Sequence, residues 1–355
     1  MPNNNGFSQD QHSDVTHYYG EVLTSTKDLK TNACCTSESL SDEVKSALSL
    51  IHPEVLNRFY GCGSPIPSLI SGLTVLDLGC GTGRDSFVLS KLVGSAGQVI
   101  GVDMTEAQID VAKAHVDYQT KAFGYETPNI SFKLGRIEDL KDLGLKDNSI
   151  DLVVSNCVIN LSPQKEEVFQ EIFRVLRPGG ELYFSDIFSD RRIPKDLAKD
   201  PVLRGECLGG ALYLEDFRRL LSKLGCHDYR VVSERAIEIG NKEVETKIGM
   251  VGFSSITVRA FKLILEDRCE DYGQVTYYLG TIPGSPHNFL LDDHHEFKTN
   301  MPHLVCANTA TMLSQTRYKD HFRITGEAKD HFGLFDCSKG TKAKSDTKNL
   351  DTPCC

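Results

Sequence analysis

The sequence predicts an α/β protein, with a mostly parallel sheet that carries helices on both faces and a small C-terminal α+β domain behind it. Short apolar runs alternate with helical segments from about residue 73 to 265. Alternation of this kind is typical of parallel sheets. After residue 266 the pattern changes to short β segments and turns, as in CEDYGQVTYYLGTIPGSP, which indicates a separate unit.

The runs VLDL, VIGV and DLVV are almost wholly apolar, as strands buried on both faces should be. An Arg-Pro-Gly-Gly turn at 177–180 ends the helix before the fifth strand. The predicted strands are Thr74–Leu78, 98–102, Ile130–Leu134, 150–155, 181–185, 229–239 and 255–265. The predicted helices are Arg84–Val93, 105–123, 164–176 and 214–224, and Ser41 has the chemistry of an earlier helix start.

Four regions follow from this pattern. Residues 1–70 are predicted to be helices and loops that carry Cys34, Cys35 and Cys62, and residues 71–265 form the main α/β domain. Residues 266–340 form the small domain, and residues 341–355 have the low apolar content of a disordered tail.

Composition excludes several classes of protein. The 355 residues include 39 Lys and Arg against 49 Asp and Glu, a net charge of −10, which argues against a nucleic-acid partner. No apolar run approaches the roughly 20 residues that span a bilayer, and no secretory signal is visible at the N-terminus. We therefore expect a cytosolic protein whose 12 cysteines are mostly reduced. A monomer is the default expectation, since the sequence carries no signal for or against oligomers.

A glycine-rich turn joins the first predicted strand to the first helix of the alternation. Gly79, Gly81 and Gly83 follow a G-x-G-x-G spacing and are preceded by Asp77. An acidic residue there disfavours a pyrophosphate and favours a ligand with a cationic amino-acid end. Asp103 ends the second strand 20 residues after Gly83, where a carboxylate can accept hydrogen bonds from ribose hydroxyls.

This set of residues resembles the class I S-adenosylmethionine-dependent methyltransferases over about residues 65–265. The resemblance implies a Rossmann-like sheet with S-adenosylmethionine as the cofactor. The implied binding residues are Asp77, Gly79, Gly81, Gly83, Arg84, Asp103, Met104, Ile137, Glu138 and Asn156.

Three cysteines fall at places where a ligand would lie. Cys157 follows the fourth strand in the stretch VSNCVINL, at the edge of the sheet where open α/β folds bind ligands. Cys62 and Cys207 are in glycine-rich loops, YGCG and GECLGGA. Three such thiols suit a soft, thiophilic substrate.

Together with YYGEV near the N-terminus, these cysteine motifs are similar to the arsenite methyltransferase family. That resemblance implies a substrate of trivalent arsenic bound by Cys62, Cys157 and Cys207. It implies a fourth cysteine, Cys34, that exchanges a disulfide with a binding cysteine, although the adjacent Cys35 leaves that assignment open. Glutathione or thioredoxin would be the reductant. A cysteine that some members carry after Ile248 and Gly249 is Met250 here.

Two other functions stay open from the sequence. One is a methyltransferase for carbon or oxygen of a small organic acceptor, such as a quinone or sterol precursor. The other is a protein that only sequesters arsenic, which the glycine turn and Asp103 disfavour. The remaining internal cysteines are interpreted as structural: Cys80, Cys226, Cys269, Cys306 and Cys337.

Overall fold

A computed structural model of the protein describes residues 40–59, 61 and 63–337. Its centre is an eight-stranded sheet in the order β3-β2-β1-β4-β5-β8-β7, with β6 paired to β5. The strands are β1 (Thr74–Leu78), β2 (Gln98–Asp103), β3 (Ile130–Leu134), β4 (Ile150–Asn156), β5 (Leu176–Ser189), β6 (Leu212–Tyr213), β7 (Tyr229–Ala236) and β8 (Phe253–Phe261).

Helices cover both faces of this sheet, as parallel strands that are apolar on both sides require. They are α1 (Asp42–Leu48), α2 (Pro53–Asn57), α3 (Arg84–Val93), α4 (Glu106–Ala114), α5 (Val116–Phe123), α6 (Lys165–Val175), α7 (Lys195–Ala198), α8 (Pro201–Gly205), α9 (Leu214–Lys223) and α10 (Lys242–Ile248). One face buries Phe169, Phe184 and Phe217 in a shared apolar cluster, and the other buries Phe87 and Phe132 in a second cluster.

The strand order fixes where a ligand can enter. Strands β1 to β5 run parallel, and chain connections leave β1 toward β2 on one side while β4 lies on its other side. A crevice opens at such a switch point, beyond the carboxyl ends of β1 and β4. Strand β8 runs antiparallel between β5 and β7 and closes the sheet. The predicted fold class is thereby confirmed.

The C-terminal region forms smaller sheets. Strands β9 (Val275–Tyr278), β12 (Pro302–Leu304) and β13 (Phe322–Thr325) pair with one another, and β10 (Asn288–Leu290) pairs with β11 (Glu296–Lys298). Helix α11 (Ala307–Ser314) packs beside them. Their apolar core includes Phe261 at the end of β8, so this region packs against the main sheet where that strand ends.

Several predicted bounds are wrong. The predicted helix 105–123 is two helices, because the backbone leaves helical geometry at His115, whose ring stacks on His52. Strand β5 runs from Leu176 through the Arg-Pro-Gly-Gly turn to Ser189, since Leu176 pairs with Ile150 and Phe188 pairs with β6. Helix α10 was not predicted. Within the described residues, no helix has the length and apolarity to cross a membrane.

Candidate functional site

A cavity lies at the carboxyl ends of β1, β2 and β4, where the strand order predicts a ligand site. It is lined by nine of the ten predicted cofactor residues and by Cys157. The nine are Asp77, Gly79, Gly81, Arg84, Asp103, Met104, Ile137, Glu138 and Asn156. Gly83 is the exception, because it caps α3 in a left-handed conformation and faces Phe132.

Two glycines of the turn, Gly79 and Gly81, are required for different physical reasons. Gly79 has a φ of 70°, and a Cβ there would lie 2.3 Å from the Val158 side chain. Gly81 has a φ of 53°, but a Cβ there would meet no atom within 4 Å. The turn thus leaves open space beside Gly81, which a ligand approaching the backbone can use.

Two buried carboxylates give the cavity an anionic wall. Burial and the nearby charge of Asp85 raise the pKa of Asp77 to about 7, although Ser86 donates a hydrogen bond of 2.5 Å to it. Burial also raises the pKa of Asp103, which accepts backbone hydrogen bonds from Gly81 at 2.9 Å and Thr105 at 2.8 Å. A positively charged ligand would offset the cost of ionising these groups.

The side chain of Asn156 connects the end of β4 to the chain that precedes the sheet. Its Nδ2 donates hydrogen bonds of 2.9 Å to the Asp85 carboxylate and to the Gly63 carbonyl. Asp85 in turn binds Arg84 at 2.6 Å, and the Arg84 guanidinium lies over the Phe59 ring. These contacts connect Phe59 and Gly63, which precede the sheet, to side chains that line the cavity.

The two cysteines predicted on the main domain lie together at the inner end of this cavity. The Cys207 thiol donates a hydrogen bond of 3.2 Å to the carbonyl of Cys157. Both residues have left-handed backbones, with φ of 56° at Cys157 and 62° at Cys207. Left-handed geometry costs free energy at non-glycine residues and is concentrated at functional sites. Cys157 lines the cavity, whereas Cys207 is fully buried beneath it.

The oxidation states of these two cysteines differ. Cys157 is disulfide-bonded, whereas Cys207 is a thiol. The predicted Cys62, Cys34 and Cys35 lie outside the described residues.

Two oppositely charged side chains, the buried Asp186 and the half-buried Lys165, lie near Cys207. Burial raises the pKa of Asp186 to about 7, although the carboxylate accepts hydrogen bonds from Asn160 and Ile187. Burial also lowers the pKa of Lys165 to about 8, against the opposing charges of Asp186 and Cys207. Its ammonium donates to the Ser162 carbonyl at 2.8 Å. The thiol of Cys207 therefore lies close enough to Lys165 for the two charges to interact. No sequence motif marks this lysine.

Other lining residues were also missed from the sequence. Phe59, Asp85, Thr105, Gln108 and Ser162 line the cavity beside the predicted set. Thr105 and Gln108 follow Asp103 closely at the start of α4, so their spacing from that aspartate was an available signal. Phe59 and Ser162 had none, because long-range packing brings them to the cavity.

Two known sequence families match the chain in separate regions. The methyltransferase domain matches residues 69–234, which include the glycine turn, Asp103, Cys157 and Cys207. The arsenite methyltransferase C-terminal domain matches residues 270–351, which include the small C-terminal sheets.

Proteins that match this chain over most of its length are also arsenite methyltransferases. The chain is 51% identical to an arsenite methyltransferase of Aquipseudomonas alcaligenes, over 93% of this chain and 95% of the relative. It is 42% identical to the human arsenite methyltransferase, over 88% of this chain and 83% of the relative. A crystal structure of an arsenic(III) S-adenosylmethionine methyltransferase from Chlamydomonas reinhardtii superimposes with a TM-score of 0.81 at 50% identity, covering 84% of this chain and all of that one.

Proposed function

The chain belongs to the arsenite methyltransferase family, and we propose that it transfers methyl groups from S-adenosylmethionine to trivalent arsenic held by its own thiols. The observation that carries this proposal is the contact between Cys157 and Cys207 at the end of a cavity with an anionic wall. Thiolates select soft ions such as trivalent arsenic.

The residues of the cavity fit S-adenosylmethionine. Asp77 and Asp103 supply negative charge for a cationic molecule, and the open space beside Gly81 admits it close to the backbone. Arg84, Met104, Ile137, Glu138 and Asn156 complete the set of proposed binding residues, with Gly79 and Gly83 shaping the turn. When bound, the cofactor supplies an electrophilic sulfonium methyl group.

Cys157, Cys207 and Cys62 are proposed to bind arsenic, the first two throughout successive methylations. A pyramidal complex with three thiolates would leave the arsenic lone pair available for in-line attack on the methyl carbon, and S-adenosylhomocysteine would leave as the sulfonium carbon–sulfur bond breaks. The arsenic would then be pentavalent, and two cysteine thiolates that form a disulfide would return it to the trivalent state before the next methylation. The task of the protein is then positioning, which can supply a large part of a rate enhancement without a strong general base. Left-handed backbones at Cys157 and Cys207 fit such positioned groups.

Arsenic can bind to Cys157 only after the disulfide of that residue is reduced. We propose that Cys34, with Cys35 as the other candidate, exchanges a disulfide with a binding cysteine. A dithiol or two glutathione thiols then return the pair to thiols and become the new disulfide. Thioredoxin and glutathione are the proposed reductants, and the protein is proposed to be a cytosolic monomer.

The finer proposals concern products and organisation. The products are mono- and dimethylated arsenicals together with S-adenosylhomocysteine. Residues 71–265 are proposed as the catalytic domain and 266–340 as a small supporting domain, with residues 1–70 supplying Cys34, Cys35 and Cys62. An organic acceptor is not favoured, because near-full-length relatives include the C-terminal region as well as the methyltransferase domain.

The experiment that tests the proposal follows the methyl group. Purified protein is incubated with labelled S-adenosylmethionine, arsenite and glutathione, with or without thioredoxin, and labelled arsenicals are separated by chromatography. Methylated arsenic above the control without enzyme supports the proposal. Tight binding of S-adenosylmethionine without any arsenic product under either reductant would contradict it and would favour an organic acceptor.

A further inference from the structure

Two cysteines outside the cavity lie against each other where the C-terminal region joins the main sheet. Cys269 follows β8, and Cys306 is the N-terminal cap of α11, where its sulfur accepts a hydrogen bond from the Thr309 amide at 3.5 Å. Their side chains are 4% and 1% exposed, and neither residue is disulfide-bonded. The chain segments of the two cysteines are neighbours, because the Ala307 amide donates to the Glu270 carbonyl at 3.0 Å, and the Cys269 thiol is close enough to lower the pKa of Cys306.

The charges around this pair favour a thiolate on Cys306. The Cys269 thiol, together with the charge of Arg230 and the hydroxyl of Thr309, lowers the pKa of Cys306 against the effect of burial. Arg230 is itself buried and donates to Thr309 at 3.1 Å and to both oxygens of Asp228 at 2.7 Å. Asp228 is the opposing negative charge at the site.

A third cysteine of the same region shows that burial alone does not produce this effect. Cys226 is 4% exposed and its thiol donates to the Asp228 carbonyl at 3.6 Å, but among the described residues no thiol or cation offsets its burial. Burial and the charge of Asp228 raise the pKa of Cys226 to about 12. Cys226 and Cys306 therefore differ in their neighbours and not in their exposure.

The pair is covered by the last segment that the structure describes. Backbone hydrogen bonds connect Phe335 to Cys269 at 2.7 Å and Phe332 to Asp271 at 2.8 Å. Phe332 and Leu334 in this cover are 67% and 66% exposed, so the cover buries little apolar surface of its own. Segments with few buried contacts open locally at low cost in free energy, which gives a small oxidant access to Cys306.

We propose that Cys269 and Cys306 are a second thiol–disulfide couple of this protein, with Cys306 as the attacking thiolate and Cys269 as the resolving thiol. The oxidant is a hydroperoxide. The Cys306 thiolate attacks one oxygen of hydrogen peroxide, and with one proton the products are a sulfenic acid and water. The Cys269 thiol then displaces the sulfenic hydroxyl, which leaves as water when the disulfide forms. This couple does not depend on the proposed function.

Burial favours a disulfide over a bound soft ion at this pair. A sulfur–sulfur bond adds no atom between the two side chains, whereas an ion would have to displace their packed surroundings. The bond would join residues 37 positions apart, and so it would fix the start of the C-terminal region to α11.

Peptide mapping tests the proposal on the full-length protein. The protein is treated with hydrogen peroxide at pH 6, the remaining thiols are alkylated, and the unreduced protein is digested with trypsin. Cys269 and Cys306 fall in separate peptides, 269–298 and 299–317, and each contains a single cysteine. We expect these peptides to be linked, and dithiothreitol to release them. Cys226 should remain an unoxidised thiol in the same sample.

Two variants identify the order of the chemistry. In Cys269→Ser, the sulfenic acid on Cys306 has no resolving thiol, so dimedone labelling of Cys306 should rise at least tenfold over the unsubstituted protein. In Cys306→Ser, Cys269 should remain a thiol. Absence of the linked peptides in the unsubstituted protein would overturn the proposal whether or not either variant folds. A link from Cys269 to Cys337 would overturn it too, as would arsenite bridging the two thiols without oxidation.

Discussion

The Cys207 thiol donates a hydrogen bond to the backbone carbonyl of Cys157 at 3.2 Å, although 50 residues separate the two in the chain. Both residues are held in left-handed backbone geometry, and Cys157 faces the cavity while Cys207 lies beneath it. An ion bound by both sulfurs would therefore sit at the inner end of the cavity, and the proposed methyl donor would occupy the remainder.

Replacing Cys207 with serine tests this arrangement. Serine nearly preserves the volume and the hydrogen bond to Cys157 but removes the soft ligand, so methylation of arsenite should fall by more than the roughly 10–100-fold that loss of an outer-shell partner costs. Affinity for S-adenosylmethionine, measured by calorimetry, should stay within about threefold, because Cys207 does not line the cavity. Cys226→Ser is the matched control, because it replaces another buried cysteine of the main domain. Its rate of arsenite methylation should be close to that of the unsubstituted protein. Normal methylation by Cys207→Ser would remove this residue from the arsenic site.

Gly79 and Gly72 offer a matched pair of glycines. Both have left-handed backbones, with φ of 70° and 76°, but only at Gly79 would a Cβ strike a side chain, that of Val158. Gly72→Ala should lower the free energy of unfolding by about 1–2 kcal/mol, the cost of left-handed geometry. Gly79→Ala should cost about 1–3 kcal/mol more and should weaken binding of S-adenosylmethionine. Urea unfolding and calorimetry measure the two effects, and equal losses in both variants would contradict the expected clash.

The parts of the site that the sequence predicted are those controlled by local geometry. Glycines such as Gly79 and Gly81 allow a strand to turn sharply into a helix, and Asp103 follows at a fixed spacing because one helix and one strand of standard length separate it from the turn. For the same reason the strands β1 to β4 were predicted within a residue or so of their bounds.

Contacts that depend on packing left no local signal. Lys165 begins an amphipathic helix and nothing in the sequence marks it, but its side chain is half-buried and burial near Asp186 lowers the pKa of its ammonium. Cys269 and Cys306 were interpreted as structural, since nothing in the sequence shows that the fold of the small sheets brings them together. The break at His115 likewise depends on His52, which lies 63 residues earlier in the chain.

The raised pKa of Asp77 predicts that S-adenosylmethionine binding releases a proton. Burial and Asp85 hold the pKa of Asp77 at about 7 without ligand, and a cationic ligand favours the ionised carboxylate. Affinity should therefore increase as the pH rises toward 7 and level off above it. Calorimetry at pH 6.5 in two buffers of different ionisation enthalpy measures the released fraction. The effect should vanish in Asp77→Asn and persist in Asp139→Asn, which changes an exposed carboxylate. Equal enthalpies in both buffers for the unsubstituted protein would contradict the prediction.

Lys165→Met should destabilise the protein more at pH 7.5 than at pH 6. With a pKa of about 7 for Asp186 and about 8 for Lys165, both groups are charged between those values, and each offsets the burial of the other. At pH 7.5 the variant leaves an ionised carboxylate buried without its cation, which costs about 3–5 kcal/mol. At pH 6 Asp186 is mostly protonated and needs no cation. The loss of unfolding free energy should therefore be smaller than at pH 7.5 by at least about 1 kcal/mol. Urea unfolding at both pH values measures this, with the exposed Lys223→Met as control. A loss that does not change with pH would mean that the two charges are not coupled.

Glu181 connects the main sheet to the C-terminal region through two arginines. It is fully buried on β5, accepts a hydrogen bond from Arg259 at 2.8 Å and pairs with Arg317, while Arg259 also donates to the Tyr318 hydroxyl. Glu181→Gln leaves both arginines without their counter-ion, so the free energy of unfolding should fall by about 3–5 kcal/mol. Hydrogen exchange should increase first in β9, β13 and α11, whose core packs against this network. Arg268→Met removes an exposed arginine between β8 and β9 and should leave exchange unchanged. A uniform increase across β1 to β5 as well would show that the C-terminal region does not depend on this pairing.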